Sequence, residues 1–149
     1  MPSTAPDSPE QNGREQDGLI DALVQASFAT MAVLNKLGAE NDLSLTQLRV
    51  LAILRDRRLR MTGLADYLGL DKSTMTGLVQ RAEKRGLLQR TANDLDGRAV
   101  EVLLTPAGEE LTDRIRGHVA QSLSPLIGGL SQPDQRRLQT LLFRMLGRR

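Results

Sequence analysis

Residues Leu64 to Leu78 read LADYLGLDKSTMTGL. Leu64, Ala65 and Leu68 repeat at helical spacing before Gly69, and Met75 and Leu78 do so after it. A glycine between two such stripes suits a tight turn. Asp71 stands where a helix cap is needed, and an acid there complements the positive end of the helix dipole. Leu70 and Met75 are spaced as a hydrophobic staple. The stretch therefore predicts a helix, a tight turn at Gly69 and a second helix.

Downstream, Leu88 to Asn93 and Ala99 to Leu104 read as two strands, with the turn signal Asp96-Gly97 between them. Val100, Val102 and Leu104 alternate with period two and share one face. Arg98 lies near the hairpin tip. Upstream, Leu19 to Leu37 predicts a long helix. Ile20, Leu23, Val24, Ser27, Met31, Leu34 and Leu37 form its stripe, and Gly38 is placed to stop it. Ser44 with Gln47 fits a capping box, and Leu43 with Leu48 fits a staple. Leu48, Leu51, Ala52 and Leu54 give that helix its buried face, which the run RDRRLR at Arg55 to Arg60 ends. Thr62 is placed to cap a short helix, Gly63 to Leu68.

Beyond the hairpin, Thr105-Pro106 starts a helix that runs to about Leu126 or Ile127, with Glu109 and Glu110 near its positive end. Gly128-Gly129 breaks it. Ser131 to Asp134 starts the last helix, whose apolar face is Leu138, Leu141, Leu142 and Met145. The expected order is α-α-α-α-β-β-α-α: a mainly α protein with a small β-wing. A helix-turn-helix followed by a hairpin is the winged helix-turn-helix layout, in which one helix enters the DNA major groove. The outer helices are too long and too apolar on one side for a minimal winged helix, so we assign them to a dimer interface. Two such modules fit the half-sites of a pseudo-palindromic operator.

Charge follows this division. Of 149 residues, residues 1–48 carry 2 basic and 7 acidic side chains, a balance of −5. Residues 49–98 carry 11 and 6, a balance of +5, and residues 99–149 carry 7 and 5, a balance of +2. The basic centre coincides with the helix-turn-helix and hairpin, and phosphate binding needs local positive charge more than a high total. With no cysteine, disulfides and thiolate metal sites are excluded, and the composition fits a cytoplasmic protein. No consecutive apolar run approaches the ~18 residues of a membrane span, so no membrane partner is expected. The acidic, Pro- and Ser-containing N-terminus lacks the basic start and apolar core of a secretory signal. Residues 1–17 read as a disordered arm. Residues 18–149 read as one domain, with dimerisation helices at about 18–38 and 106–147 and a DNA-binding lobe at about 44–105. With Phe28, Phe143 and Tyr67 the only aromatics, the core must be aliphatic.

Around Lys72 to Arg85, Met75, Leu78, Val79 and Ala82 fall on one face, which must be buried. The other presents Ser73, Gly77, Gln80 and Lys84, flanked by Thr76 on one side and by Thr74 and Arg81 on the other. Gln pairs with adenine, Arg with guanine, and Thr contacts the thymine methyl. Gln80 and Thr76 are therefore assigned to bases and Arg81 to a base or a phosphate. Ser73, Thr74 and Lys84 are assigned to the backbone. Arg98 is placed for a narrow minor groove. An exposed polar helix face and a surface Asp96–Arg98 ion pair are the plain alternatives. A winged helix used for protein binding would present apolar residues instead. An enzyme is not expected: no cysteine nucleophile exists, and the single His118 has no partner spacing. No cofactor or metal is implied.

The run Asp96-Gly97-Arg98, then Val102, Leu104, Thr105 and Gly108, resembles the D-x-R-x-x-x-V-x-L-T-x-x-G pattern of the MarR (multiple antibiotic resistance regulator) family. KSTMTGLVQRAEKRGLLQR is similar to that family's recognition helix and its exit. The resemblance covers residues 18 to 147. It implies a triangular homodimer with terminal helices at the interface and two winged lobes on double-stranded DNA. It also implies transcriptional repression relieved by a small aromatic or phenolic ligand. It carries Ser73, Thr74, Thr76, Gln80 and Arg81 to the major groove and Arg98 to the minor groove. Gly77 stands where many members have a long side chain, and Ala82 where many have Leu. An effector pocket between dimer helices and lobe is expected on the same ground, lined by Met31, Arg49, Met61 and His118.

Overall fold

The computed structural model describes residues 9–148, in six helices and three strands. In chain order these are α1 (Pro9–Glu40), α2 (Leu45–Leu54), β1 (Leu59–Arg60), α3 (Met61–Leu68), α4 (Lys72–Lys84), β2 (Leu88–Ala92), β3 (Val100–Leu104), α5 (Pro106–Ile127) and α6 (Gln132–Met145). The mainly helical fold with a small wing matches the expectation.

Most boundaries follow from capping chemistry. The Ser44 Oγ accepts from the Gln47 N–H at 3.1 Å, and the Gln47 Oε1 accepts from the Ser44 N–H at 2.8 Å, completing the capping box. Thr105 caps α5, with Pro106 in the first turn, and Ser131 caps α6. Gly69 ends α3 at φ 66°, the left-handed conformation that glycine adopts without penalty.

Several boundaries differ. α1 starts at Pro9, before the expected arm ends at residue 17; residues 1–8 lie outside the described residues. Arg14, Glu15 and Gln16 are good helix formers, and propagation from a formed helix costs far less than nucleation. Gly38 does not stop α1. It lies within the last turn because a Cβ there would stand 2.6 Å from the Leu43 carbonyl oxygen. The basic run holds a strand, β1, that alternation could not reveal in two residues. Leu59 pairs with Val102 and Arg60 with Glu101, giving a sheet of order β1-β3-β2. That strand leads directly into α3, so Thr62 sits inside the helix and the cap position falls to Arg60, which makes no side-chain cap bond.

The core lies under α4. Leu64, Met75, Val79 and Val102 are fully buried, and Leu48, Val50, Leu51 and Leu54 of α2 pack with them. Val50 takes a core position expected for Ala52, which is exposed. Val102 and Leu104 face inward as the alternation predicts, while Val100, nearer the hairpin end, is exposed. The outer helices are different. Along α1, Leu19, Ile20, Leu23, Val24, Phe28 and Met31 are all exposed, and α6 buries no residue. By length and composition alone, Gly13–Glu40 is long and apolar enough to cross a membrane. Yet Asp21, Gln25, Asn35 and Lys36 interrupt it, and its apolar residues form a stripe rather than a sheath.

The tightest approach in the fold is at the start of α5. A Cβ on Gly108 would stand 2.0 Å from the Leu87 carbonyl oxygen, too close for any side chain. Gly108→Ala should therefore destabilise the protein by about 2–3 kcal/mol, the cost of forcing volume into filled space. A denaturant midpoint equal to that of the native chain would contradict this packing.

Candidate nucleic-acid interface

The first turn of α4 is fastened by one carboxylate. Asp71 Oδ1 accepts from the Thr74 N–H at 2.8 Å and from the Ser73 hydroxyl at 2.6 Å. Asp71 Oδ2 accepts from the Thr74 hydroxyl at 2.7 Å. Hydrogen bonds from Ser73, then those from the Thr74 side chain and backbone, hold the Asp71 carboxyl well below the usual carboxylate range. The Thr76 hydroxyl donates to the Lys72 carbonyl at 2.8 Å. Ser73, Thr74 and Thr76 thus occupy the expected face, but their hydroxyl protons are already committed within the helix.

Further along α4, Gln80, Arg81 and Lys84 are exposed. Arg81 and Lys84 make no ion pair among the described residues. At Gly77, an Arg81 guanidinium nitrogen lies 3.4 Å from where a Cβ would stand. That is ordinary van der Waals contact with the end of a flexible side chain, so packing does not require glycine at this position.

The wing is a seven-residue loop, Asn93 to Ala99, rather than a two-residue turn. Asn93 Oδ1 accepts from the N–H groups of Leu95 and Asp96, both at 2.9 Å. The Ala99 N–H donates to the Asp96 carbonyl at 3.0 Å. Gly97 has no positive φ, so the mirror-image hairpin turn is absent. Asn93 Nδ2 also donates to Glu101 Oε1 at 2.6 Å, and the opposite Glu101 oxygen lies 3.8 Å from Arg58, anchoring the wing to β1. Asp96 accepts from the Arg98 backbone N–H at 3.1 Å, not from its guanidinium. The carboxylate therefore shapes the loop and leaves the Arg98 charge without an ion pair among the described residues. Leu95 is 97% exposed at the tip.

Between α4, the start of α3 and the wing lies a groove of about 410 Å³. Arg60, Lys72, Thr76, Arg90 and Arg98 line it, with Asp96 the only acid. Arg90 is fixed by Glu83, whose Oε2 lies 3.0 Å from its Nε. The sequence reading missed Arg60, Lys72 and Arg90. Arg60 belongs to the basic run Arg55 to Arg60, Lys72 opens α4, and Arg90 gave no signal before strand pairing placed it.

Four residues expected to line an effector pocket do not meet. Met31, Arg49 and His118 are exposed on α1, α2 and α5, and Met61 is buried at the start of α3, beside the cationic groove. A separate cavity of about 290 Å³ lies between α1, α2 and α5. Leu34, Leu48, Leu51, Ile115 and Val119 form its apolar wall, and Arg55, Thr112 and Arg116 its polar edge. Arg55 is held by Asp113 at 3.3 Å. Among the described residues there is no cluster of acids and His set to hold a metal. On the outer side of α3, Arg148 donates to the Tyr67 hydroxyl at 3.4 Å, and that contact, with Arg49 and Arg57 nearby, lowers the phenol's pKa.

The Asp71 cap makes a pH prediction. Its folded pKa lies below its ordinary value of 3.8. The cap's contribution is therefore complete above that ordinary value and is lost as pH falls through the lower, folded one. The stability difference between the native chain and Asp71→Asn should stay constant from neutral pH to about pH 5 and shrink below about pH 4. A difference that does not vary with pH would refute the cap.

Sequence and structure comparisons fit this geometry. The MarR family pattern matches residues 41–99, which span the helix-turn-helix and the wing. The chain is 26% identical over 131 residues to the HTH-type transcriptional regulator PecS of Dickeya dadantii, covering 85% of this chain and 79% of that one. It is 34% identical over 71 residues to the HTH-type transcriptional regulator YfiV of Bacillus subtilis. That match covers 47% of this chain and only 44% of the Bacillus protein. The crystal structure of NadR in complex with 4-hydroxyphenylacetate superposes with a TM-score of 0.70 at 25% identity, covering 97% of both chains.

Proposed function

We propose that the chain, whose residues 41–99 match the MarR family pattern and which is similar to the regulator PecS, is a MarR-type cytoplasmic homodimeric repressor. In this reading it binds a pseudo-palindromic operator through α4 and the wing and is released by a small aromatic acid. The observation that carries the reading is the cationic groove between α4 and the wing. Its Arg98 stands unpaired beside it, while Gln80 and Arg81 are presented on the adjoining helix. Those groups suit base edges and phosphates. Four of the residues lining the groove, Arg60, Lys72, Arg90 and Arg98, are cations against the single acid Asp96, and Met61, Ala99 and Val100 supply its apolar part.

Dimerisation is supported by the open stripes of α1 and α6. An apolar stripe of several large side chains, exposed in a single chain, marks an association surface. A twofold pair would place two copies of α4 for half-sites about one DNA turn apart.

The cavity between α1, α2 and α5 supports the effector reading. Its apolar wall suits an aromatic ring, and Arg116, which has no ion pair among the described residues, suits a carboxylate. NadR, solved with 4-hydroxyphenylacetate, supplies the precedent for such a ligand.

Selecting bound duplexes from a random pool tests the reading directly, with mass measured in solution. It expects a two-subunit protein and a pseudo-palindromic consensus; a lone subunit that enriches no duplex would end it. Arg98→Ala should weaken binding to the selected duplex by about 1–3 kcal/mol while the dimer persists. Binding of the native chain should also fall steeply with salt, through release of condensed counterions. Arg116→Ala should raise the aromatic acid concentration needed for DNA release by about tenfold, equivalent to one lost charged contact. Unaltered release would place the effector elsewhere.

A further inference from the structure

Arg85 closes α4 and reaches out of the DNA-binding lobe. Its Nη1 donates to the Asp42 carbonyl at 2.7 Å and its Nη2 to the Asn41 carbonyl at 2.8 Å. Both carbonyls belong to the turn that follows α1. The chain leaves that helix through Asp42 in the left-handed region, φ 53°. The Leu43 N–H bonds back to Gly38 at 2.8 Å, and the Asp42 N–H to Ala39 at 3.3 Å. This is the doubly bonded helix ending that normally uses glycine at its left-handed position. Left-handed backbone is uncommon for other residues, Asp being among the most tolerant.

A cation at a helix C-terminus interacts favourably with the helix dipole. A guanidinium fork has the rigid geometry to hold two acceptors together. α4 ends in the same motif, with Gly86 at φ 72° and the Leu87 N–H bonded to Ala82 at 3.0 Å. Arg85 therefore ties the C-terminal ends of α1 and α4 together across more than 40 residues of sequence. Two of its five N–H donors are thus engaged by carbonyls of the turn after α1, while the side chain itself remains exposed.

We propose that Arg85 is a positioning residue that fixes the angle between the recognition helix and α1, and thereby sets the half-site spacing the dimer accepts. The inference rests on the reading above that α4 binds DNA in a twofold protein. In such a protein α1 belongs to the shared platform. A change in the tilt of α4 against it is repeated in both lobes, so the separation of the two recognition helices changes twice over.

The test uses the full-length protein, the duplex selected from the random pool, and the same duplex with one base pair added or removed between half-sites. Arg85→Gln removes the charge and the fork; Arg85→Lys keeps the charge and reaches one carbonyl. Solution mass and thermal melting are followed in parallel, with binding measured where each variant retains its native helical signal. Should Arg85→Gln fail to fold, Arg85→Lys carries the comparison.

If the native chain prefers its own spacing by about tenfold, Arg85→Gln should reduce that preference to about threefold or less, with Arg85→Lys between them. The salt dependence of binding should stay as in the native chain, since no phosphate contact is lost. Undiminished spacing preference in the variants overturns the inference. So does a salt slope lower by about one, which would make Arg85 a phosphate ligand. A native chain that binds no duplex, or binds as a single subunit, overturns the parent reading and this inference together.

Discussion

The close approach of Gly108 to the Leu87 carbonyl fixes everything around it. The Thr105 N–H donates to that same carbonyl at 3.1 Å, and the Thr105 hydroxyl bonds to Gly86. The recognition helix therefore ends, and α5 begins, in one hydrogen-bonded knot. A side chain at position 108 would push the two apart. Three parts of the fold meet there: α4, the β2–β3 wing that leaves from Leu88, and α5, which runs out to the surface shared with α1. Arg85, two residues before Leu87, adds the end of α1 to the same junction.

The core beneath this junction is aliphatic, and that has a physical consequence. Leu and Val fill space by interdigitating branched ends rather than by stacking large rings, so packing depends on many small contacts. Met75 at the centre of the lobe can follow irregular gaps that a β-branched residue could not. α1 and α6 carry apolar stripes, including both phenylalanines of the chain, Phe28 and Phe143, that find no cover within one chain. Burying such stripes against a second copy would remove their side chains from water at roughly 25 cal/mol per Å².

Legibility in the sequence followed the range of the interaction. Caps at Ser44, Asp71, Thr105 and Ser131 were readable because each involves residues about three apart. The buried face of α4 was readable because its period is set by the helix itself. β1 was hidden, since two residues cannot show alternation and its partner lies over 40 residues away. The role of Gly38 was misread for the same reason: its neighbour, the Leu43 carbonyl, comes close only once the chain has turned. None of the expected effector residues lines the cavity between α1, α2 and α5. Met31, Arg49 and His118 were chosen as single residues on separate helices, whereas a cavity wall is fixed by how three helices pack. Arg60, Lys72 and Arg90 joined Arg98 in one groove only after strand register was set.

Hydrogen bonding within α4 also bears on how the proposed contacts divide. The Ser73 and Thr74 hydroxyls already serve Asp71, and the Thr76 hydroxyl serves Lys72. A phosphate that recruited any of them would have to replace a bond already made, so the net gain is the difference between two similar terms. Gln80, Arg81 and Arg98 carry no such prior commitment among the described hydrogen bonds and ion pairs. Their interaction with a duplex is opposed only by desolvation and side-chain entropy. The hydroxyls therefore serve first to hold the first turn of α4, and in the proposed complex reading a sequence would fall to one amide and two guanidinium groups. That division makes the helix rigid at its N-terminal turn and leaves its discriminating groups free to adjust.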